Sequence, residues 1–329
     1  MINLGFVGLG WWGKELGNAA QDLSTKINIF GCYSLSSDEM TSFSSKFGTK
    51  IYKNYQEMLS DPEIDGVVLA TPHTQHADQV IQAAMSGKHV FVEKPLALTI
   101  SDATSAALCC NTNNVVLAVG HNRRFSQSAK ELSRWIKDKK LGQLLHIEAH
   151  FSGDSALQFK KSNWRANRSE SPAGSLVSIG LHMIDTIQWL LGPIDRLSCI
   201  SKRQTLTVNI DDTTAALFEL KNGMTGTLCT SFATPPTSYL KIYGTEGLAE
   251  TTDDFSTLNW RKGTELSHEV PLKTPNTLVA EFQSFIDACE RRNPYPVTPN
   301  EAINNVAVIE AMKNSCEMNG EWVKIKISD

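Results

Sequence analysis

The sequence predicts an α/β protein with two parts: an N-terminal doubly wound parallel sheet, then an α+β domain with a large open, mostly antiparallel sheet. Three observations predict it. Short apolar runs alternate with amphipathic stretches through the first 120 residues, the pattern of a parallel sheet with covering helices. A glycine-rich turn, Gly8-Leu9-Gly10-Trp11-Trp12-Gly13, separates the first apolar run from the first amphipathic one. After Gly120-His121 the rhythm changes to successive strand-like runs broken by Asn-Gly and Gly-rich turns, which is antiparallel punctuation.

Taken in order, the apolar runs predict strands at Ile2–Val7, Ile27–Cys32, Gly66–Ala70, His89–Val92 and Val115–Val119. Helical periodicity falls between them at about 14–23, 38–47, 75–86 and 100–112. Beyond the boundary a helix at about 126–139 leads to a strand at Leu144–Phe151 and a polar loop over 152–173. A helix at about 175–191 stops at Gly192-Pro193. Strands fill 194–271; helices at about 277–291 and 299–318 and a closing strand, Trp322–Ile327, follow. The domains are therefore 1–120 and 121–329.

Composition narrows the class of function. Hydrophobic content is 41%, charged content 20% and net charge −4, which offers neither a basic field for nucleic acid nor a polybasic membrane patch. Seven cysteines without a CxxC pair read as reduced thiols of a cytoplasmic protein, with no disulfide framework and no metal site. The opening MINLGFVGLG reads as a strand, and no apolar run reaches the 18 or more residues of a spanning helix.

Within a strand–turn–helix, each glycine of Gly8-x-Gly10-x-x-Gly13 has a use. The first permits a tight turn, the second lets backbone approach a pyrophosphate, and the third allows close helix–strand packing. The helix that follows offers free N–H groups to the anion. This is a Rossmann dinucleotide site. Trp11 and Trp12 either line its mouth or serve packing. NAD-specific sites place an acid at the end of the second strand, but here that position falls on Tyr33 or Ser34. With no acid there, and hydroxyls at Ser34, Ser36 and Ser37, the cofactor is NAD(P) with a lean to NADP.

GFVGLGWWG, ATPHTQHADQVIQAAMSGKHVFVEKPLA, GHNRRF and GLHMID, in this order and spacing, resemble the glucose–fructose oxidoreductase / inositol dehydrogenase / MocA family. The resemblance covers nearly the whole chain, and GKHVFVEKP is its most specific element. It implies a Rossmann domain, a C-terminal α/β domain with a large open sheet, a sugar, polyol or related cyclic alcohol as substrate, and homodimers or homotetramers.

Lys94 follows an apolar strand at its carboxyl end, where doubly wound sheets bind ligands, and Pro95 fixes its approach. In the family this lysine hydrogen-bonds the reacting oxygen and Glu93 positions the segment. An ammonium there stabilises a developing alkoxide or carries its proton. Ser178, His182 and Asp185 are spaced i, i+4, i+7 on one helix face, with Leu176, Ile179, Met183 and Ile187 on the other. His182 matches the family's proton acceptor or donor, and Asp185 matches an acid that binds substrate or orients neighbours. Ser178 stands where many members carry an Asp, so it hydrogen-bonds without supplying charge.

The resemblance also assigns a cofactor-facing turn to Thr71, Pro72, His73 and His76, and likens Asn122 and Arg123 to substrate-side residues, with Arg124 structural. From residue type, Trp164 and Arg165 are candidates to stack on a sugar ring and bind a hydroxyl or carboxylate, or else belong to a solvated loop. Three functions fit: a dehydrogenase or reductase on CH–OH groups, an NAD-dependent glycosidase using transient oxidation, and a non-catalytic dinucleotide sensor.

Overall fold

A computed structural model describes residues 1–273 and 275–326. The first 122 residues run β1 (Ile2–Val7), α1 (Trp11–Gln21), β2 (Ile27–Tyr33), α2 (Ser37–Phe47), β3 (Lys50–Ile51), α3 (Tyr55–Ser60), β4 (Gly66–Leu69), α4 (His76–Met85), β5 (His89–Glu93), α5 (Ile100–Thr112) and β6 (Leu117–Gly120). The six strands form one parallel sheet in the order β3-β2-β1-β4-β5-β6. The order in which the chain adds strands reverses between β1 and β4, the point at which such sheets open a ligand crevice.

Local chemistry sets these bounds. Ser36 caps α2 by accepting from the Glu39 N–H at 3.3 Å, and Gly48 closes it at φ +70°. β3 and α3 were not expected from periodicity. A two-residue strand has no period to read, but α3 carries a start signal: Asn54 accepts from the Glu57 N–H at 2.8 Å in an Asn-x-x-Glu pattern.

The chain continues through α6 (Gln127–Lys137), β7 (Leu144–Ser152), a π-helical turn (Leu176–Gly180), α7 (Leu181–Leu191), β8 (Ile194–Lys202), β9 (Thr213–Leu220), β10 (Thr225–Ser231), β11 (Thr237–Gly244), β12 (Gly247–Thr252), β13 (Asn259–Lys262), β14 (His268–Glu269), α8 (Thr277–Cys289), α9 (Pro299–Glu317) and β15 (Val323–Lys324). These strands make a nine-stranded sheet in the order β14-β13-β12-β11-β7-β10-β9-β8-β15. It is antiparallel except where β10 runs parallel to β7. The closing strand is shorter than expected, and Ile327 lies outside the described residues.

The chain divides into two compact units, one of residues 1–122 and 276–302, the other of residues 123–275 and 303 onward. This differs from two consecutive domains, because α8 returns to the first unit. Its aromatic face explains the return. Phe282 stacks on Phe91 with ring centroids 4.8 Å apart and lies 6.4 Å from Phe6, and Phe285 meets Phe91 edge-on at 5.8 Å. All four rings are buried.

All seven cysteines are free. Burial pushes the Cys110 thiol up to about 12 and raises that of Cys32, so these are inert thiols at neutral pH.

Truncating Phe282 to alanine should cost about 3–5 kcal/mol of the first unit's stability in urea unfolding, as loss of a fully buried aromatic does. A loss under about 1 kcal/mol would show that α8 does not complete that core.

Candidate functional site

The glycine turn is shaped by close backbone approaches. Gly8 has φ +85°, and its N–H donates to the Tyr33 carbonyl at 3.1 Å. A Cβ there would meet the Ala70 carbonyl oxygen at 2.5 Å, and one at Gly13 would meet the Gly8 oxygen at 2.1 Å. Gly8 and Gly13 are therefore required by the protein's own packing. Gly10 is different: a Cβ there would meet nothing nearer than Glu39 Oε1, at 3.8 Å. Its smallness leaves room beside the first turn of α1, where Gly10 offers no side-chain cap and no acid stands in the first turn.

Trp12 adds a second sign of room for a ligand. Its indole N–H is buried without a hydrogen-bond partner among the described residues, which is rare in a finished interior. Trp11 is exposed, with its ring centroid 5.3 Å from that of Trp12. Bare helix N–H groups, a glycine facing space and an unused donor fit a pyrophosphate and its sugar.

The end of β2 corrects the sequence reading. An acid does reach this position. Glu39, from the first turn of α2, accepts the Ser34 hydroxyl on Oε2 at 2.6 Å. Ser36 is already spent as the α2 cap, and its own N–H lies 3.4 Å from Ser34 Oγ. The hydroxyls that favoured a 2′-phosphate are thus partly committed, and a carboxylate stands among them. Ser36-Ser37-Asp38-Glu39 matches a capping-box pattern, so a carboxylate near this turn was legible; its turn toward Ser34 was not.

At the ends of β4 and β5, Thr71 is buried and donates to Gln79 Oε1 at 2.6 Å. Pro72 precedes a 3₁₀ turn, His73–Gln75, in which His73 is buried. His76 is fully buried. Its Nδ1 lies 2.7 Å from the Pro95 carbonyl and its Nε2 2.9 Å from the Thr71 carbonyl. The ring therefore joins the two segments that were expected to face the cofactor. Glu93 is buried beside Gly120, where a Cβ would lie 3.0 Å from Glu93 Oε1. Lys94 is half-buried and begins a cis peptide to Pro95. Asn122, also in the first unit, donates to Thr277 Oγ1 at 3.2 Å.

The second unit holds the other group of predicted residues. His182 is buried on α7, and its Nε2 lies 3.1 Å from Arg123 Nη1. Because a guanidinium only donates, Nε2 is the acceptor and the ring proton sits on Nδ1. Asp254 holds Arg123 with two bonds, Nε to Oδ1 at 2.9 Å and Nη2 to Oδ2 at 2.6 Å.

Sequence reasoning missed Asp254. Asp253, Asp254 and Phe255 are all left-handed, at φ +49°, +53° and +65°. Three such residues in succession store backbone strain of the kind that gathers at functional sites. The Ser238 hydroxyl accepts the Asp254 N–H at 2.6 Å, and Phe255 is buried. Nothing in the sequence DDF signals this geometry.

Asp185 faces inward. It is 1% exposed, accepts from Arg124 Nε at 2.8 Å and Nη2 at 2.7 Å, and also takes Asn305 Nδ2 at 2.7 Å. Arg124, also buried, lies over the Trp189 ring. The regular helix expected over 175–191 begins instead as the π turn, so His182 and Asp185 share an α-helical face and Ser178 does not continue it. Gly180 permits that turn to lie against β10, since a Cβ there would meet Thr230 Cγ2 at 2.8 Å. Leu176, Met183 and Ile187 are buried as expected, and Ile179 packs on a small satellite core. In the loop, Arg165 lies 4.1 Å over the Trp164 ring, and both residues are half-buried.

A strand–glycine turn–helix at the switch point of a six-stranded parallel sheet defines a Rossmann dinucleotide-binding architecture. Residues 2–121 match the oxidoreductase family model with an NAD-binding Rossmann fold, and residues 129–250 match the GFO/IDH/MocA C-terminal domain. The chain belongs to the GFO/IDH/MocA family of oxidoreductases, and its relatives include dehydrogenases and reductases of sugars.

It is 28% identical over 246 residues to the glucose-6-phosphate 3-dehydrogenase of Bacillus subtilis, covering 72% of this chain and 69% of that protein. It is also 28% identical over 194 residues to the 2,7-anhydro-N-acetylneuraminate hydratase of Escherichia coli, covering 59% and 50%. Among solved structures, a protein from Desulfitobacterium hafniense described as an NADPH-dependent oxidoreductase superposes with a TM-score of 0.92 at 26% identity, covering 98% and 97%. Levoglucosan dehydrogenase in complex with NADH and L-sorbose gives 0.90 at 19% identity, covering 99% of each chain, a likeness of fold.

Asp185→Ala should lower unfolding free energy by about 3–5 kcal/mol, because Arg124 would be left buried without its partner. Chemical denaturation measures this. A change below about 1 kcal/mol would show that the pair is not a structural element.

Proposed function

We propose that this enzyme is an NAD(P)-linked dehydrogenase or reductase working at the carbinol or carbonyl of a sugar, polyol or related cyclic alcohol, with Lys94 and His182 handling the proton. The observation that carries the reading is Lys94 at the carboxyl end of β5, held through Pro95 by a buried histidine that also grips the Thr71 turn. A bound nicotinamide supplies the hydride acceptor or donor; the rest is done by side chains of this chain.

Oxidising a carbinol requires that its hydroxyl proton leave as the C–H bond is broken. The Lys94 ammonium offers a positive charge to the oxygen as it becomes alkoxide. His182 supplies a base: Arg123 donates to Nε2 and so holds the imidazole neutral, ready to accept when a substrate hydroxyl replaces that N–H. Asp254 neutralises Arg123 and fixes its plane. Charge next to His182 therefore comes from the Arg123–Asp254 pair, which supports activity with serine at 178. Asp185 acts by holding Arg124 and Asn305 rather than by touching substrate. Asn122, Trp164 and Arg165 are assigned to the substrate side on residue type and resemblance.

Gly8, Gly10, Trp11, Trp12 and Gly13 hold the dinucleotide, supported by the spaces described above. The lean to NADP drawn from hydroxyls alone is weakened by Glu39. A homodimer or homotetramer is supported by exposed Ile200 and Leu217 on one face of the adjacent strands β8 and β9. The free thiols support a reducing, cytoplasmic setting.

A second reading keeps the same site but returns the cofactor to its starting state in each turnover, as an NAD-dependent glycosidase would. The hydratase relative favours keeping it. Substrate conversion without net change in nicotinamide absorbance would select it.

Replacing Lys94 with alanine should reduce kcat by on the order of 10²–10³, the size seen when one charge-stabilising donor is removed. Initial rates with the preferred sugar test this, and turnover within about tenfold of wild type would remove Lys94 from the chemistry. His182→Ala should cost a similar factor at neutral pH.

A further inference from the structure

We propose that Glu39 selects NAD over NADP. Its carboxylate would accept the hydroxyls of the adenosine ribose and repel a 2′-phosphate. The proposal rests on the reading that a dinucleotide occupies the glycine turn.

The acid that NAD-specific Rossmann sites place at the end of the second strand is absent from the strand itself; β2 ends at Tyr33, and Ser34 follows. Glu39 fills the role from the next helix. One carboxylate oxygen accepts Ser34 Oγ at 2.6 Å, while the other lies 3.8 Å from the point where a Cβ on Gly10 would stand. The carboxylate thus spans the gap between the glycine turn and the end of β2, the two elements that flank the ribose in this fold. Ser34 anchors it, and the Glu39 N–H is itself held by Ser36 Oγ at 3.3 Å.

Charge in the same turn points the same way. Asp38 stands beside Glu39 in the first turn of α2, and no arginine falls within 33–42. The cation close by is Lys14, whose ammonium donates to Ser42 Oγ at 3.2 Å, three residues further along α2. With Glu39 neutral, Lys14, the serine hydroxyls and the N–H groups of α2 would together favour a phosphate.

The test uses the purified full chain and the variant Glu39→Gln, whose thermal unfolding is first checked against wild type. Dissociation constants for NADH and NADPH are measured by titrating nicotinamide fluorescence. Wild type should bind NADH more tightly than NADPH by about tenfold or more. Glu39→Gln should weaken NADH and tighten NADPH, moving their ratio by roughly 10–100-fold, the worth of one charge-assisted contact. Ser34→Ala, which leaves the charge in place, should still exclude NADPH.

A wild type that binds NADPH as tightly as NADH, or a ratio unmoved by Glu39→Gln, overturns the proposal while the dinucleotide site stands. Binding of neither nucleotide overturns the site and the proposal with it.

Discussion

The first unit is organised by one close approach: the turn after β1 lies against the end of β4. Gly8 sits where any side chain would strike the Ala70 carbonyl, and Gly13 sits where any side chain would strike Gly8. Backbone hydrogen bonds from Ala70 N–H to Val7 and from Gly8 N–H to Tyr33 tie three strand ends together. Once these atoms are in place, α1 must start beside the strand ends with its N–H groups open. The end of β5 is then referred to the same frame through His76, which bridges Thr71 and Pro95. The open turn after β1 and the position of Lys94 at the end of β5 follow from packing constraints that involve no ligand.

The second unit solves a different problem, the placing of charge beside a histidine. Consecutive arginines do separate work. Arg124 is locked by Asp185 and Asn305 in the interior, where an unpaired charge would be costly. Arg123 turns to Asp254 and His182 instead. The left-handed run at Asp253, Asp254 and Phe255 presents that carboxylate, at a conformational cost that hydrogen bonding to Ser238 and burial of Phe255 offset. Serine at 178 supplies no charge, so the charge beside the histidine is that of a paired arginine.

Much of this was legible in the sequence because it depends on period and on residues with a single use. The strand runs from Ile2 and His89, the helix from Ile100 and the glycine spacing each obey a local rule, and the structure places them within a few residues of expectation. What escaped depends on long-range geometry. The return of α8 follows from the fit of Phe282 to Phe91, which no local pattern encodes. The π turn at Leu176–Gly180 is invisible to a 3.6-residue period. Glu39 reads as a helix-capping acid until its side chain is seen to meet Ser34, and Asp254 lies on a turn with no glycine to announce it. Asp185 illustrates the limit of face arguments: the π turn takes Ser178 off the expected face, and Arg124, 61 residues away, pairs with Asp185 in the interior.

The most direct measurement is thermal unfolding of the purified chain with NAD, NADH, NADP and NADPH added one at a time, after absorbance and mass have excluded a retained cofactor. A dinucleotide at about 100 times its dissociation constant adds roughly 2.7 kcal/mol of stability. The account predicts a clear upward shift with NAD or NADH and a smaller one with their 2′-phosphorylated counterparts. Unfolding unmoved by all four would contradict it, leaving the glycine turn as a packing device and the proposed chemistry at Lys94 with no dinucleotide to serve it.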